Sequence, residues 1–203
     1  MAARRIIMFN RLSADGYFAG PDGNLDWVVQ DDEVDKAGAA NIPDTDTMLF
    51  GRKTYQMFES FWPNALKDAD ESGARKPHAT GQRSASMKDM AVWINDATKL
   101  VFSKTLKNVT WKNSRLIPAF DPREVEAMKT QPGKDMIVFG SGSLVSQLTK
   151  HDLIDEYRFV ISPTLLGDGQ TLLKNVGKIS KLKLTGCKGY PTGNMILTYA
   201  RAA

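Results

Sequence analysis

Cysteine and histidine are scarce in this sequence of 203 residues, which contains one cysteine, Cys187, and two histidines. One cysteine allows no disulfide within the chain and no multi-cysteine metal site. The histidines, His78 and His151, lie far apart and outside any metal-ligand spacing, so we expect no metal centre. The Gly-x-Ser-x-Gly pattern of a nucleophilic serine is also absent, which argues against hydrolysis.

Long apolar runs are lacking as well. No segment approaches the ~20 apolar residues that span a bilayer, and the first ten residues lack the apolar stretch of a signal peptide. We therefore expect a cytoplasmic protein with no membrane partner. The net charge of +4 is spread from Arg4 to Arg201 without a dense basic cluster. This distribution argues against a nucleic-acid partner and favours a small charged ligand.

The composition that remains is typical of a globular protein, with 42% hydrophobic and 25% charged residues. The length is sufficient for one hydrophobic core, so we expect a single domain over residues 1–203. A polar stretch at about 64–89 contains Gly73, Pro77 and Gly81 and few apolar residues. It predicts a surface excursion or lid.

Short apolar runs alternate with helix-like segments along the chain. The runs predict strands at 5–12, 47–51, 99–103, 109–111, 135–139, 156–163, 182–184 and 195–200. Helices are predicted at 27–40 with Asp26 as the N-cap, from Lys53, at 122–129 with Asp121 as the N-cap, and at 144–150. The alternation predicts an α/β fold with a mainly parallel central sheet covered on both faces. The last two strands are expected to pair antiparallel across the turn at 190–194.

Two turns between a strand and a helix have the composition of phosphate sites. Gly140-Ser141-Gly142-Ser143 offers backbone N–H groups at a helix start, although Val145 replaces the last glycine of the dinucleotide-binding fingerprint. Gly51-Arg52-Lys53-Thr54 adds two cations and a hydroxyl to a close-approach glycine. The alternatives are an ordinary connection capped by Ser143 and a solvated basic first turn.

Two further features support a ligand at this edge of the sheet. Ser103 and Lys104 follow the third predicted long strand, as expected when a ligand lies across the carboxyl edge of a parallel sheet. One group of aromatic residues could form the wall of a pocket for a flat heterocycle, or could belong to the core: Trp27, Tyr55, Phe58, Phe61 and Trp62.

Several blocks occur in the order seen in one family. They are residues 10–20, Phe50-Gly51-Arg52-Lys53-Thr54-Tyr55, Val101-Phe102-Ser103-Lys104-Thr105-Leu106, Phe139-Gly140-Ser141-Gly142-Ser143-Leu144, Leu153-Ile154-Asp155-Glu156-Tyr157 and Pro163-Thr164-Leu165-Leu166-Gly167-Asp168-Gly169. Together they resemble dihydrofolate-reductase-family proteins, and most closely the branch related to the reductase domain of the riboflavin-biosynthesis deaminase/reductase. The resemblance covers nearly the whole chain except the polar excursion. It implies a dihydrofolate-reductase-like three-layer sandwich.

The resemblance also implies an NADPH cofactor. Its pyrophosphate would lie between the turn at Gly51, Arg52, Lys53 and Thr54 and the turn at Gly140, Ser141, Gly142, Ser143 and Leu144. Arg52, Ser103 and Lys104 become candidates for binding the adenosine 2′-phosphate. Asp15 would lie near the nicotinamide, where it binds substrate or helps to position a proton donor, unless it is only a turn residue. Trp27 and Phe61 are the further candidates for substrate binding.

Folate specificity is less clearly implied. The acidic residue that orients the pterin in dihydrofolate reductases has three possible counterparts here, namely Asp26, Asp31 and Asp32. The sequence therefore favours hydride transfer from NADPH to a small heterocyclic or sugar-phosphate substrate, closest to 5-amino-6-(5-phosphoribosylamino)uracil. Dihydrofolate reduction and non-catalytic NADPH binding are the alternatives. The resemblance also suggests a homodimer formed through the C-terminal strands.

Overall fold

The computed structural model describes residues 3–40, 42–65 and 85–202. The strands in these ranges are β1 (Ile6–Ser13), β2 (Tyr17–Ala19), β3 (Thr45–Gly51), β4 (Thr98–Phe102), β5 (Ser114–Ile117), β6 (Asp135–Phe139), β7 (Glu156–Ser162), β8 (Gln170–Thr171), β9 (Leu182–Gly189) and β10 (Met195–Arg201). The α-helices are α1 (Asp32–Ala39), α2 (Arg52–Phe61), α3 (Ala85–Asp96), α4 (Pro122–Thr130) and α5 (Gly142–Lys150). Short 3₁₀ turns occupy Ile42–Asp44 and Trp62–Asn64.

Eight of the strands form one sheet in the order β5-β4-β3-β6-β1-β7-β10-β9. The neighbours from β5 to β7 are parallel, whereas β10 runs antiparallel to both β7 and β9. The short strands β2 and β8 pair separately. The predicted α/β fold, with a mainly parallel sheet and an antiparallel C-terminal edge, is therefore confirmed.

The helices cover both faces of this sheet. Because side chains alternate along a strand, Ile6 and Met8 of β1 pack on one face with residues of α4 and α5. Ile7 lies on the opposite face, in a cluster that includes residues of α2 and α3. Helix α1 covers β7 on that same side through Val34 and Val160. This arrangement is the predicted three-layer sandwich.

Helix α1 begins later than predicted. Its N-cap is Asp31, whose Oδ1 accepts hydrogen bonds from the backbone N–H groups of Glu33 and Val34. The other carboxylate oxygen accepts a hydrogen bond from the Thr192 hydroxyl at the distant turn between β9 and β10. The prediction that Asp26 is the N-cap was therefore wrong, because a long-range contact selects the second of two suitable aspartates.

The strand predicted at 109–111 was also wrong. The Trp111 N–H donates to the Tyr55 hydroxyl and to Glu59 Oε1 of α2, so this segment bonds to a helix and the edge strand begins three residues later, at Ser114. The last residues of the surface excursion predicted at about 64–89 belong to helix α3, which begins at Ala85, and the excursion itself stays a prediction. Most of that excursion, residues 66–84, lies outside the described residues.

None of the described helices combines the length and hydropathy that crossing a membrane requires.

Candidate functional site

The two glycine-containing turns are bonded to each other at the carboxyl edge of the sheet. Gly51 ends β3 and its N–H donates to Ser141 Oγ at 2.9 Å. In return, the Ser141 N–H donates to Thr54 Oγ1 at 2.9 Å. These bonds form because β3 and β6 are neighbours in the sheet, which places the ends of both strands side by side. The turns therefore form one structural unit, the paired turns, comprising residues 51–54 and 140–144.

The backbone of the paired turns requires glycine at two positions. Gly140 has φ +53°, and a Cβ built there would lie 2.9 Å from Thr54 Oγ1. A Cβ at Gly142 would lie 3.0 Å from the Leu172 carbonyl oxygen and 3.1 Å from Phe18 Cζ. Ser141 adopts φ +58°, which is uncommon for a residue other than glycine. Contact between the two turns thus explains Gly140, whereas Gly142 is explained by close contact with Phe18 of β2 and with Leu172, which follows β8.

Both helices that follow the paired turns begin without a side-chain cap. The N-caps of α2 and α5 are Gly51 and Ser141, and neither makes a side-chain capping hydrogen bond. Neither first turn contains an acidic residue. The alternative in which Ser143 caps α5 is therefore wrong, because Ser143 lies inside the helix and is exposed. Uncapped helix starts leave backbone N–H groups and a positive partial charge for an external anion.

Exposed cations flank these helix starts. Arg52 and Lys53 are exposed in the first turn of α2, and Arg52 Nη1 has a weak contact of 3.3 Å with Gln56 Oε1. Lys104 is exposed just after β4, which pairs with β3. Ser103 Oγ accepts hydrogen bonds from the N–H groups of Thr105 and Leu106, so its hydroxyl stabilises a turn. Leu144 packs in the core, and its backbone N–H donates to the Ser141 carbonyl at 2.8 Å.

Asp15 binds the loop that follows β7. Its carboxylate accepts hydrogen bonds from the Ser13 hydroxyl at 2.6 Å and from the N–H groups of Leu166 and Gly167 at 2.7 to 3.1 Å. The hydrogen bond from Ser13, followed by that from Gly167, lowers the pKa of Asp15. A carboxylate with a lowered pKa is a poor proton donor near neutral pH. These contacts favour a role in holding the loop, and proton delivery by Asp15 remains a prediction.

An apolar pocket of about 270 Å³ lies on the sheet face covered by α1, α2 and α3. Five aromatic side chains form much of its wall: Phe9, Phe58, Phe61, Trp62 and Phe139. Phe139 is the last residue of β6 and directly precedes Gly140, so the pocket adjoins the paired turns. Its composition suits a flat heterocyclic ligand.

The predicted aromatic wall is only partly present. Phe58, Phe61 and Trp62 line this pocket, whereas Tyr55 is buried in the core and its hydroxyl donates to Glu59 Oε1 at 2.8 Å. Trp27, predicted to bind substrate, is buried and does not line the pocket. Its carbonyl accepts from the Thr164 hydroxyl, and its indole Nε1 has no hydrogen-bond partner among the described residues.

Sequence reasoning missed the two charged residues of the pocket, Arg11 and Asp35. Arg11 Nη2 donates to Asp35 Oδ1 at 2.6 Å, and both side chains line the pocket. Burial raises the pKa of Asp35, while the Arg11 charge acts in the opposite direction. The predicted pterin-orienting candidates lie elsewhere, since Asp31 caps α1 and neither Asp26 nor Asp32 lines the pocket. A helix starting at Asp31 would have indicated Asp35, which shares a face with Val34 and Gly38.

A larger groove of about 770 Å³ lies at the opposite edge of the sheet, where β3 and β4 begin. Arg4, Asp46, Trp93 and Arg115 are among its lining residues. None of the predicted site residues lies there, so it is separate from the paired turns. No group of three or more histidine, cysteine or acidic side chains suited to a metal ion occurs within the described ranges.

A family model described as the RibD C-terminal domain matches residues 4–196. The resemblance identified from the sequence blocks is thereby confirmed. The match spans both turns, the pocket and most of the C-terminal strand pair.

Solved structures show the same fold. A protein of Shewanella sp. PV-4 superposes with a TM-score of 0.71 at 22% identity, covering 98% of this chain and 99% of the other. The diaminohydroxyphosphoribosylaminopyrimidine deaminase/5-amino-6-(5-phosphoribosylamino)uracil reductase of Thermotoga maritima has a TM-score of 0.59 at 14% identity, covering 98% of this chain and 57% of the other. Dihydrofolate reductase of Enterococcus faecalis, in a complex with NADP(H), has a TM-score of 0.59 at 11% identity and covers 100% and 99% of the two chains. At these identities the similarity shows the fold, which is dihydrofolate-reductase-like.

Proposed function

Because the chain belongs to the RibD C-terminal domain family, we propose that it is an NADPH-dependent reductase that transfers hydride to a small heterocyclic or sugar-phosphate substrate. The observation that carries the proposal is the pair of mutually bonded turns from which two uncapped helices begin. An aromatic pocket adjoins these turns, so a dinucleotide bound across them would place its reactive ring near a bound substrate. The NADP(H) complex of the E. faecalis relative supports the choice of cofactor.

The residues at the carboxyl edge fit a dinucleotide phosphate. In the proposed complex the backbone N–H groups at the starts of α2 and α5 bind the pyrophosphate, with Gly51, Thr54, Gly140, Ser141, Gly142, Ser143 and Leu144 forming the two turns. Arg52 and Lys53 are exposed and free of carboxylate partners among the described residues, so they are available for further anionic oxygens. Arg52, Ser103 and Lys104 are the proposed ligands of the 2′-phosphate.

NADPH supplies the hydride when bound, and the protein contributes binding and orientation. The aromatic side chains of the pocket hold a flat ring against the sheet and exclude water from it. Asp15 holds the loop at 166–167, and in this proposal the proton comes from water or from Asp15, whose lowered pKa makes it the weaker donor of the two. The reaction class is reduction of a carbonyl, an imine or a ring C=N bond.

The closest named activity is reduction of 5-amino-6-(5-phosphoribosylamino)uracil, which is part of the name of the T. maritima relative. We also propose one domain over residues 1–203 in a cytoplasmic homodimer assembled through the C-terminal strands. Strand β9 forms the sheet edge and is largely exposed, and Leu184 in it is 53% exposed. Light scattering that returns the mass of a monomer would reject the dimer.

The first test is a calorimetric titration of the purified protein with NADPH and, in parallel, with NADH. The variant Arg52→Ala removes a cation from the uncapped helix α2. Arg123→Ala is a matched control, because Arg123 occupies the first turn of α4, which Asp121 caps. We expect Arg52→Ala to weaken NADPH binding by about tenfold, with a smaller effect on NADH, and Arg123→Ala to change neither.

Two outcomes would contradict the proposal. If neither nucleotide binds the wild-type protein, the reductase assignment fails and only the fold remains. If NADPH binds but no heterocyclic or sugar-phosphate compound stimulates its oxidation, the protein is a non-catalytic nucleotide binder. Oxidation stimulated by dihydrofolate alone would replace the proposed substrate with a folate.

A further inference from the structure

The connection between β4 and β5 has an uncommon form. These strands are parallel neighbours, and such strands are usually joined by a crossover that contains a helix. Here the crossover segment, residues 103–113, contains neither a helix nor a strand. Its middle residues, 107–109, make no hydrogen bond to another described residue, whereas both of its ends do. Apart from the packing of Leu106 and Val109 on the core, the position of the segment therefore depends on its two ends.

Lys99 holds the end of the crossover segment that leads into β5. The side chain is fully buried, and its Nζ donates to the Lys112 carbonyl at 3.2 Å. The same Nζ donates at 2.8 Å to the carbonyls of Asn95, in the last turn of α3, and Ala97, just after that helix. It also lies 4.5 Å from the centre of the Trp111 ring. Three carbonyls and an aromatic face thus form a cation site that the lysine ammonium occupies.

The ammonium form of Lys99 is required for all of these contacts. Burial lowers the pKa of Lys99 to about 8, with Lys112 acting in the same direction and Asp96 against it. The charged form therefore still predominates at pH 7, and its three N–H groups match the three carbonyls. A neutral apolar side chain would leave the carbonyls unpaired, which costs free energy. One charge thus joins α3 to the crossover segment.

The other end of the crossover segment lies at the carboxyl edge of the sheet. The Ser103 N–H donates to the Ile117 carbonyl at 3.0 Å, and Ser103 Oγ accepts from the N–H groups of Thr105 and Leu106. Lys104 lies inside this turn and is exposed, and it forms no ion pair or side-chain hydrogen bond with a described residue. The place of the Lys104 charge is therefore set by the turn alone.

We propose that Lys99 is a positioning residue for Lys104 and the Ser103 turn: it fixes the far end of the crossover segment and thereby restrains the near end, where the 2′-phosphate binds. The inference rests on the proposed function, because it requires NADPH at this edge. Lys99 and Ser103 are four residues apart in an extended chain, about 13 Å, so Lys99 does not contact the ligand. Its influence passes through the crossover segment.

Hydrogen exchange tests the restraint in the absence of any nucleotide. Lys99→Met preserves the length of the side chain but removes its donors. We expect the N–H groups of Thr105, Leu106 and Trp111 to exchange at least about tenfold faster, while the N–H groups of β1 report any change in global stability. Lys129→Met is the matched control, because Lys129 Nζ donates to the Leu153 carbonyl and to Asp155, outside the segment. The control should leave exchange in the segment unchanged.

Calorimetry with NADPH and NADH tests the role at the ligand. In Lys99→Met the affinity for NADPH should fall about fivefold and that for NADH less than about twofold, because only NADPH carries the 2′-phosphate. A merely structural role would weaken both equally. In a Lys104→Ala background, Lys99→Met should change NADPH affinity by less than about twofold, since the cation through which it acts is gone. Lys129→Met should leave the ratio of the two affinities unchanged.

The outcomes separate this inference from the reductase proposal. Faster exchange at Trp111 with unchanged exchange at Thr105 and Leu106 overturns the inference, and so does an equal loss of NADPH and NADH affinity. Either result leaves the reductase proposal intact if the wild type binds NADPH. Binding of neither nucleotide to the wild type overturns the reductase proposal and with it the role at the 2′-phosphate, and the exchange rates then decide separately whether Lys99 holds the turn.

A second variant serves if Lys99→Met does not fold. Trp111→Phe keeps an aromatic face against Lys99 but loses the indole N–H bond to Asn95 Oδ1. It loosens the same end of the crossover segment more gently. We expect about threefold faster exchange at Thr105 and Leu106 and about twofold weaker NADPH binding, with NADH binding unchanged. Wild-type exchange at both residues in this variant would overturn the inference.

Discussion

Four of the α-helices have a described N-cap, and these four helices begin in two different ways. The N-caps of α1 and α4 are Asp31 and Asp121, whose carboxylates accept N–H bonds from the first turn. Both first turns also contain acidic residues, which suit the positive end of the helix dipole. In contrast, α2 and α5 have no side-chain cap and no acidic residue in the first turn.

The difference follows position in the sheet. The uncapped helices follow β3 and β6, which are neighbours, whereas α4 follows the edge strand β5 and α1 lies against the turn between β9 and β10. The protein therefore satisfies its own helix ends at the flanks of the sheet and leaves them open at its middle. Cations at Arg52 and Lys53, unfavourable for an isolated helix, are consistent with an external anion at this position.

The largest effect is expected from Gly140→Ala in the paired turns. Alanine at φ +53° is strained, and its Cβ would lie 2.9 Å from Thr54 Oγ1, which binds the Ser141 N–H. We expect the free energy of unfolding to fall by about 2 kcal/mol and NADPH affinity to fall more than about tenfold. Urea denaturation and calorimetry measure the two quantities.

Gly177→Ala is the matched control for this change. Gly177 has φ +75° but no atom within 4 Å of a built Cβ, so alanine there adds backbone strain alone. We expect a loss of about 1 kcal/mol of stability and unchanged NADPH affinity. Equal effects of the two substitutions on NADPH binding would show that contact between the turns is irrelevant to the ligand.

A smaller effect is expected when the charges in the first turns of α2 and α4 are exchanged. Lys53→Glu places an acid in the first turn of α2, which should stabilise the protein by about 0.5 kcal/mol and weaken NADPH binding about tenfold. The reciprocal Glu124→Lys in α4 should cost about 0.5 kcal/mol and leave NADPH binding unchanged. Thermal melting and calorimetry provide the readouts. If the Lys53→Glu variant binds NADPH with the same affinity as the wild type, the difference between the two kinds of helix start has no bearing on ligand binding.

A smaller effect is expected from removing a cap that has no proposed ligand role. Asp121 Oδ1 accepts from the Arg123 N–H at 2.8 Å. Asp121→Ala should lower the free energy of unfolding by about 1 kcal/mol, and Asp121→Asn should restore most of it because asparagine also caps well. Neither variant should alter NADPH affinity. A loss of affinity in Asp121→Ala would mean that α4 also contributes to the ligand edge.

Local patterns were sufficient to predict seven of the eight strands of the main sheet and the positions of the two turns, but not the edge strand β5. The parallel strands are short apolar runs, and Gly51 and Gly140 immediately follow or end such runs, so strand-to-helix turns could be placed from nearby residues. The capping role of Asp121 was also predictable, because the Asp-Pro signal is local and the structure confirms it.

Features that depend on distant partners could not be predicted in this way. Thr192 selects Asp31 over Asp26 as the cap of α1 across 161 residues. The pocket pair joins Arg11 and Asp35 across 24 residues, through the packing of α1 on the sheet. Lys99 is fully buried, a rare position for lysine, because its Nζ donates to the carbonyls of Asn95, Ala97 and Lys112.

The smallest effect concerns the acid sensitivity of the cap on α1. Burial acts to raise the pKa of Asp31, but hydrogen bonds from the Thr192 hydroxyl and from the Val34 and Glu33 N–H groups outweigh it, and the pKa lies below the ordinary value of 3.8. A carboxyl with a lowered pKa in the folded state stabilises the protein above about pH 3.8 and loses that contribution as the pH falls through the folded-state pKa. Asp31→Asn cannot titrate, so the stability difference between wild type and variant should shrink as the pH falls below about 4. Urea denaturation from about pH 7 to about pH 3 measures this difference. A difference that stays constant over the whole range would show that the Asp31 charge contributes nothing, and that only the shape of the cap matters at this helix start.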